Sequence, residues 1–158
     1  MKEANKIVDA VYIGPPKSAS TWLYNCFKEH PQIDVPENTD STHYYNIQYN
    51  LKDPEWFKSL FPSHSKRGNI RIDMCQDYLT AHYTFRRIYN DNPDAKIIVT
   101  IREPIERAFS HYWHTKKKND INYKFSDILK NNDLFSTWLG TGFYYEHIKE
   151  LYEVFPKE

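Results

Sequence analysis

A chain of 158 residues is long enough for one domain with a real core and short for an enzyme that must house a nucleotide and a second substrate in separate units, so a single domain over residues 1–158 is expected. Its 21 Lys and Arg balance 21 Asp and Glu, which leaves no global field to recruit nucleic acid or an anionic membrane; any anion site must be local. The two cysteines, Cys26 and Cys75, lie far apart without metal-ligand spacing, which argues against a disulfide framework and suits a reducing compartment.

The opening segment "MKEANKIVDAVYIG" holds too short an apolar run for a signal peptide, and no stretch reaches the roughly 18 apolar residues of a membrane span. A soluble, cytoplasmic protein is expected, of unknown oligomeric state. No internal period or low-complexity tract divides the chain; the polar stretches 36–54 and 62–69 read as loops that still carry aromatics.

Residues 6–14, "KIVDAVYIG", read as a buried strand because Ile7, Val8, Ala10, Val11, Tyr12 and Ile13 are nearly continuous, as in a parallel sheet covered on both faces. A tight turn, "GPPKSAS", leads into "STWLYNCFKEH", where Trp22, Leu23, Cys26 and Phe27 have helical spacing and Ser20 or Thr21 could cap the first turn. A short helix follows at 53–61, started by Asp-Pro-Glu, and a strand at 68–75. The segment 78–93 reads as a helix stopped by Asn-Asp-Asn-Pro, and 95–101, "AKIIVTI", as a second strongly buried strand. A helix over 103–118 begins near Pro104 and ends in Lys116, Lys117 and Lys118, favourable at a helix C-terminus; further helices fall at about 124–132 and 142–154. Strands alternating with helices predict an open parallel α/β sheet, where ligands bind beyond the carboxyl ends of the strands.

Both strong strands end at sequences suited to anions. Behind the first, a helix N-terminus exposes N–H groups and a partial positive charge, with Lys17, Ser18, Ser20 and Thr21 adding donors. Behind the second stands Arg102, with Ser110 eight residues on; the planar guanidinium fork suits a phosphate. Each has an ordinary alternative, a solvated turn in the first case and a surface ion-pair set of Arg102, Glu106 and Arg107 in the second. Together they suit a ligand with two separated phosphates.

"PPKSASTWL" resembles the 5′-phosphosulfate loop of sulfotransferases, and "REPIERAFSHY" resembles their 3′-phosphate motif through Arg102, Pro104, Arg107, Ser110 and Tyr112. "HPQI", "DPEWFKSLFP", "DMCQDYL" and "GFYYEHIKELYEVFP" follow the order of the heparan sulfate and related bacterial branch, so the resemblance spans residues 10–156. It implies a P-loop NTPase-like parallel sheet flanked by helices, a 3′-phosphoadenosine 5′-phosphosulfate donor, 3′-phosphoadenosine 5′-phosphate as product, no metal, and a carbohydrate or small-molecule acceptor. Carried over residue by residue, Lys17 contacts the bridging and 5′-phosphate oxygens, Ser18, Ala19, Ser20, Thr21 and Trp22 cradle that phosphate, and Arg102 and Ser110 hold the 3′-phosphate.

The pattern is broken in four places. The loop glycine is Ala19, which costs on the order of 1 kcal/mol if that position needs positive φ. The glutamate that serves as base in the related branch is Ser41, so His43, then Asp40, are the expected substitutes. The acceptor segment keeps Asp73 and Tyr78 in type as substrate-binding residues but has Met74 for a lysine. Family domains normally continue past "FPKE" into a strand and a basic loop, which makes the fold incomplete at its C-terminus as an expectation. Cys75 reads as a small buried residue, and His111 and His114, three apart on a helix without a third ligand, as packing or surface residues. The leading expectation is a sulfotransferase. The alternatives are a catalytically impaired module that binds donor or product, and a nucleotide kinase, which the missing Gly-Lys-Ser/Thr and absent magnesium carboxylate disfavour.

Overall fold

The computed structural model describes residues 6–63, 68–119 and 122–155. Four parallel strands form its sheet: β1 (Ala10–Tyr12), β2 (Ile33–Asp34), β3 (Ile70–Met74) and β4 (Lys96–Ile98), in the spatial order β2-β3-β1-β4. Val11 stands opposite Asp73 on one side and Ile97 on the other, which fixes the register of the central strand.

The near-continuous apolar run of β1 is explained by period two. Val11 and Ile13 face one hydrophobic cluster, with Phe57, Tyr78, Leu79, Phe85, Ile88 and Leu151, while Ala10 and Tyr12 face another, with Tyr24, Val35, Ile72 and Met74. Full burial of each large aliphatic side chain stabilises the fold by roughly 1.5–3 kcal/mol. Helices cover both faces: α1 (Ser20–Glu29), α2 (Pro54–Lys58), α3 (Tyr83–Asp91), α4 (Pro104–Asn119), a single turn α5 (Asn132–Leu134), and α6 (Tyr144–Val154). The expected parallel α/β architecture is present. Among the described residues no helix is long and apolar enough to cross a membrane.

Several expectations are corrected. β4 lies at the sheet edge, so Lys96 is exposed and Ile97 and Ile98 only half-buried, rather than enclosed on both sides. The stretch 36–54 is not simply loop: Tyr44–Gln48 form a π-helical turn whose Tyr44 and Tyr45 are buried, Tyr44 stacking on Phe57 at 3.9 Å between ring centres. Of the other expected loop, residues 64–67 lie outside the described residues, as do 156–158 at the end of the resemblance. The helix expected over 78–93 starts as a 3-10 turn, Tyr78–Thr80, because Leu79 N–H is drawn to Ile13 C=O at 2.8 Å before α3 begins. The α2 start is as expected, with the Asp53 carboxylate accepting from Trp56 N–H at 2.7 Å. The helix expected near 124–132 is a 3-10 segment, Phe125–Lys130, followed by α5.

Candidate anion-binding cleft

The turn after β1 is shaped by backbone geometry that few residues accept. Gly14 has φ +103°, and a Cβ there would lie 2.1 Å from Gln76 O, so only glycine lets this turn run against the one following β3. Lys17 and Ala19 both have φ 66°. The position of the family glycine therefore does require the left-handed region, and Ala19 carries the strain without displacing the loop. Thr100, just beyond β4, braces the turn by donating to Ser18 C=O at 2.7 Å, and itself pairs with Tyr12 OH at 2.9 Å.

The cap expected from Ser20 or Thr21 is absent. Ser20 Oγ donates to Gln76 Oε1 at 3.3 Å and Thr21 Oγ1 to Asp40 Oδ2 at 3.2 Å, so no side chain caps the first turn of α1. An uncapped helix N-terminus keeps its donors and its partial positive charge for an external anion. Ser18 Oγ is buried without any hydrogen-bond partner, a hydroxyl free to donate to such an anion.

The turn after β4 is built differently. Glu103 fills the N-terminus of α4, its carboxylate accepting from Ile105 N–H at 3.1 Å and Glu106 N–H at 2.6 Å, and these bonds hold its pKa below the ordinary range. Arg102 is exposed and pairs with Glu106 at 3.2 Å, while Tyr144 OH donates to Arg102 C=O at 2.9 Å. Arg107 departs from the surface ion-pair reading. It is fully buried, and its guanidinium donates to the backbone carbonyls of Trp138 and, at 3.5 Å, Pro16, tying α4 to the loop after β1.

The two turns enclose one cleft of about 390 Å³, whose walls include Lys17, Ala19, Ser20, Thr21, Trp22, Arg102 and Ser110. Ser18 lies buried beneath it. Gln76, His111 and His114 also line this cleft, and the sequence reading had not placed them there. His114 follows Ser110 by four positions on α4, the spacing that shares a helix face, so periodicity was the available signal for it; His111, one position on, had none from Ser110. Burial, then Arg107, His114 and Lys17, push His111 down to about 4, and Lys17 is the chief cause lowering His114. Both rings are thereby kept neutral beside the Lys17 ammonium. A second cleft of about 600 Å³ shares Pro16 and His111 with the first and is walled by Asp77, Thr80, Phe135, Thr141, Phe143 and His147.

On the acceptor side, Asp73 and Tyr78 have no exposed surface, which corrects their reading as residues that touch a substrate. Thr42 donates to Asp73 at 2.7 Å, Tyr78 donates to Asp73 at 3.1 Å, and Tyr45 N–H donates to Tyr78 OH at 3.0 Å. Burial pushes Asp73 up to about 6. The pair is an internal support for residues 42–45. His43 is not on an extended strand but in the left-handed region at φ 53°, with Nε2 3.4 Å from Ser41 Oγ. Asn46 Oδ1 is held by Ile47 N–H, which turns Asn46 Nδ2 toward His43 Nδ1 at 3.3 Å. Asp40 stands behind the cleft wall, its carboxylate accepting from Thr21 Oγ1 at 3.2 Å.

The sulfotransferase domain family model matches residues 8–158, and this chain belongs to that family. It is 27% identical to a bifunctional heparan sulfate N-deacetylase/N-sulfotransferase 1 of Xenopus laevis over 82% of this chain and 16% of that protein. It is 26% identical to heparan sulfate glucosamine 3-O-sulfotransferase 3B1 of Mus musculus over 97% of this chain and 40% of that one, so the chain spans less than half the length of either. A crystal structure of a sulfotransferase from Alicyclobacillus acidocaldarius shares the fold with a TM-score of 0.79 at 23% identity, covering 95% of this chain and 70% of that one.

Proposed function

We propose that the chain binds 3′-phosphoadenosine 5′-phosphosulfate across the 390 Å³ cleft and passes its sulfuryl group to a hydroxyl or amine of a carbohydrate or small-molecule acceptor. One observation carries this reading: the turns after the paired strands β1 and β4 present an uncapped helix start with Lys17, and a guanidinium with Ser110, to the same space. That arrangement fits a ligand anionic at two separated points. The bound donor supplies an activated sulfur–oxygen bond. Lys17 would neutralise the negative charge left on the bridging oxygen as that bond opens, while Ser18 to Trp22 and the α1 N–H groups hold the 5′-phosphate. Arg102 and Ser110 would hold the 3′-phosphate.

The acceptor must lose a proton as its oxygen or nitrogen bonds to sulfur. The Asp40 carboxylate is bonded to Thr21 of the donor-cleft wall, whereas His43 bonds to none of that wall's residues, so Asp40 takes the role of base ahead of His43. The heparan sulfate acceptors named for the relatives make a glycan the first acceptor class to try, entering by the 600 Å³ cleft next to the donor site.

Transfer of labelled sulfate from the donor to glycan and small-alcohol acceptors tests the reading. Lys17→Ala is expected to lower turnover on the order of 10²-fold, and Asp40→Asn to lower it more than His43→Gln. A second reading, a binding module without turnover, draws on Ser41 standing where a base would be expected. Calorimetric binding of 3′-phosphoadenosine 5′-phosphate with no transfer to any acceptor would establish that module. Binding of ATP with magnesium in preference to the bisphosphate would remove both readings.

A further inference from the structure

We propose that His43, Cys75 and Asp77 form a site for a thiophilic divalent cation of the zinc class, at the end of β3 and apart from the donor cleft. Their ligand atoms all lie within 4.8 Å of one another. His43 Nδ1 is 3.5 Å from Cys75 Sγ and 3.8 Å from Asp77 Oδ2. Around a tetrahedral zinc, with bonds of about 2.3 Å to sulfur and about 2.1 Å to nitrogen or oxygen, ligand atoms stand about 3.4–3.6 Å apart. The two separations from Nδ1 lie close to that spacing, and with Cys75 Sγ and the Asp77 oxygen within 4.8 Å of each other a movement of the half-exposed Asp77 carboxylate completes the set.

The arrangement does not serve nucleophilic relay. A thiol–imidazole–carboxylate relay uses the two different ring nitrogens, one for the nucleophile and one for the acid. Here thiol and carboxylate converge on the same nitrogen, Nδ1, and the thiol is fully buried. Convergence of three donors on one point is what a cation requires. An ion on Nδ1 would take that lone pair in place of Asn46 Nδ2, which lies 3.3 Å away with its own Oδ1 held by Ile47 N–H, and would leave the ring proton on Nε2. Ser41 Oγ, 3.4 Å from Nε2, accepts the remaining ring proton and holds the plane.

Access is from the outer side. Cys75 is covered, but His43 and Asp77 retain about a third and a half of their side-chain exposure, and Asp77 also walls the 600 Å³ cleft. On binding, the thiol proton leaves to solvent as the metal–sulfur bond forms, and a water completes the fourth position. The ion would fasten the loop bearing His43 to the turn following β3. This site stands whether or not His43 takes any part in sulfuryl transfer.

Cobalt(II) titrated into the untagged full chain tests it, because thiolate coordination gives a near-ultraviolet charge-transfer band. The band is expected to saturate at one equivalent and to bleach on adding zinc. Cys75→Ser is expected to abolish it, Asp77→Asn to weaken binding by about tenfold or more, and Cys26→Ser, at an exposed thiol remote in sequence, to leave it unchanged. No band with cobalt in large excess, a band that survives Cys75→Ser, or affinity unaltered by Asp77→Asn overturns the proposal. Asp77→Asn decides the matter even if Cys75→Ser does not fold, since Asp77 is a surface carboxylate.

Discussion

The turns after β1 and β4 occupy equivalent places, each carrying the chain from a parallel strand into a helix, yet they are equipped for an anion by opposite means. After β1 the helix start is left open and the backbone, bent through left-handed Lys17 and Ala19, offers N–H groups. After β4 the helix start is already taken by Glu103, and what remains is a side chain, Arg102, held by Glu106. The first turn is preorganised by main-chain geometry; the second depends on one guanidinium that must exchange a carboxylate partner for a phosphate. Affinity at the second should therefore be easy to remove and easy to tune, and at the first difficult to change without altering the loop.

Three variants would break or sharpen that contrast. Arg102→Ala should weaken binding of 3′-phosphoadenosine 5′-phosphate by roughly 10- to 100-fold in calorimetry while leaving a ligand without the 3′-phosphate nearly unaffected, as expected for one charge-assisted contact. An equal loss for both ligands would mean that Arg102 does not distinguish the 3′ end. Glu106→Gln removes the internal competitor and should tighten the bisphosphate by about two- to fivefold, the scale of an exposed ion pair; weaker binding would instead show that Glu106 positions the guanidinium. Ala19→Gly should raise the thermal midpoint slightly, by about 0.5–1 kcal/mol of stability, with little effect on Arg102-dependent affinity. A fall in stability would mean that the left-handed strain at Ala19 is outweighed by the added freedom of the unfolded chain.

The parts legible in the sequence were those written in period and punctuation. The unbroken apolar run of residues 7–13 announced a central strand, and Lys17, Arg102 and Ser110 were placed at strand ends because strands and helices alternate there. β2 was not legible, since two residues, Ile33 and Asp34, carry no period. The edge position of β4 was hidden for a different reason: hydrophobicity reports burial in general, while strand order is set by pairing between distant segments. Asp73 and Tyr78 are expected at the acceptor only through the resemblance of "DMCQDYL" to an acceptor-binding segment; the contacts with Thr42 and Tyr45 reveal an internal polar support. Gln76 entered the cleft through Gly14, whose missing side chain lets two remote turns touch, a fact of proximity that no local pattern states.

Arg107 has a consequence for how the molecule carries force. A covered guanidinium grips the carbonyl of Trp138 with one arm and reaches that of Pro16 with another, so the 135–142 stretch and the turn after β1 hang from the same rigid plane. The 135–142 stretch carries Phe135 and Thr141 of the 600 Å³ cleft, so a displacement there would act on the turn after β1 through that plane. Besides Pro16 and His111, which wall both clefts, the two thus share a covered brace that lines neither.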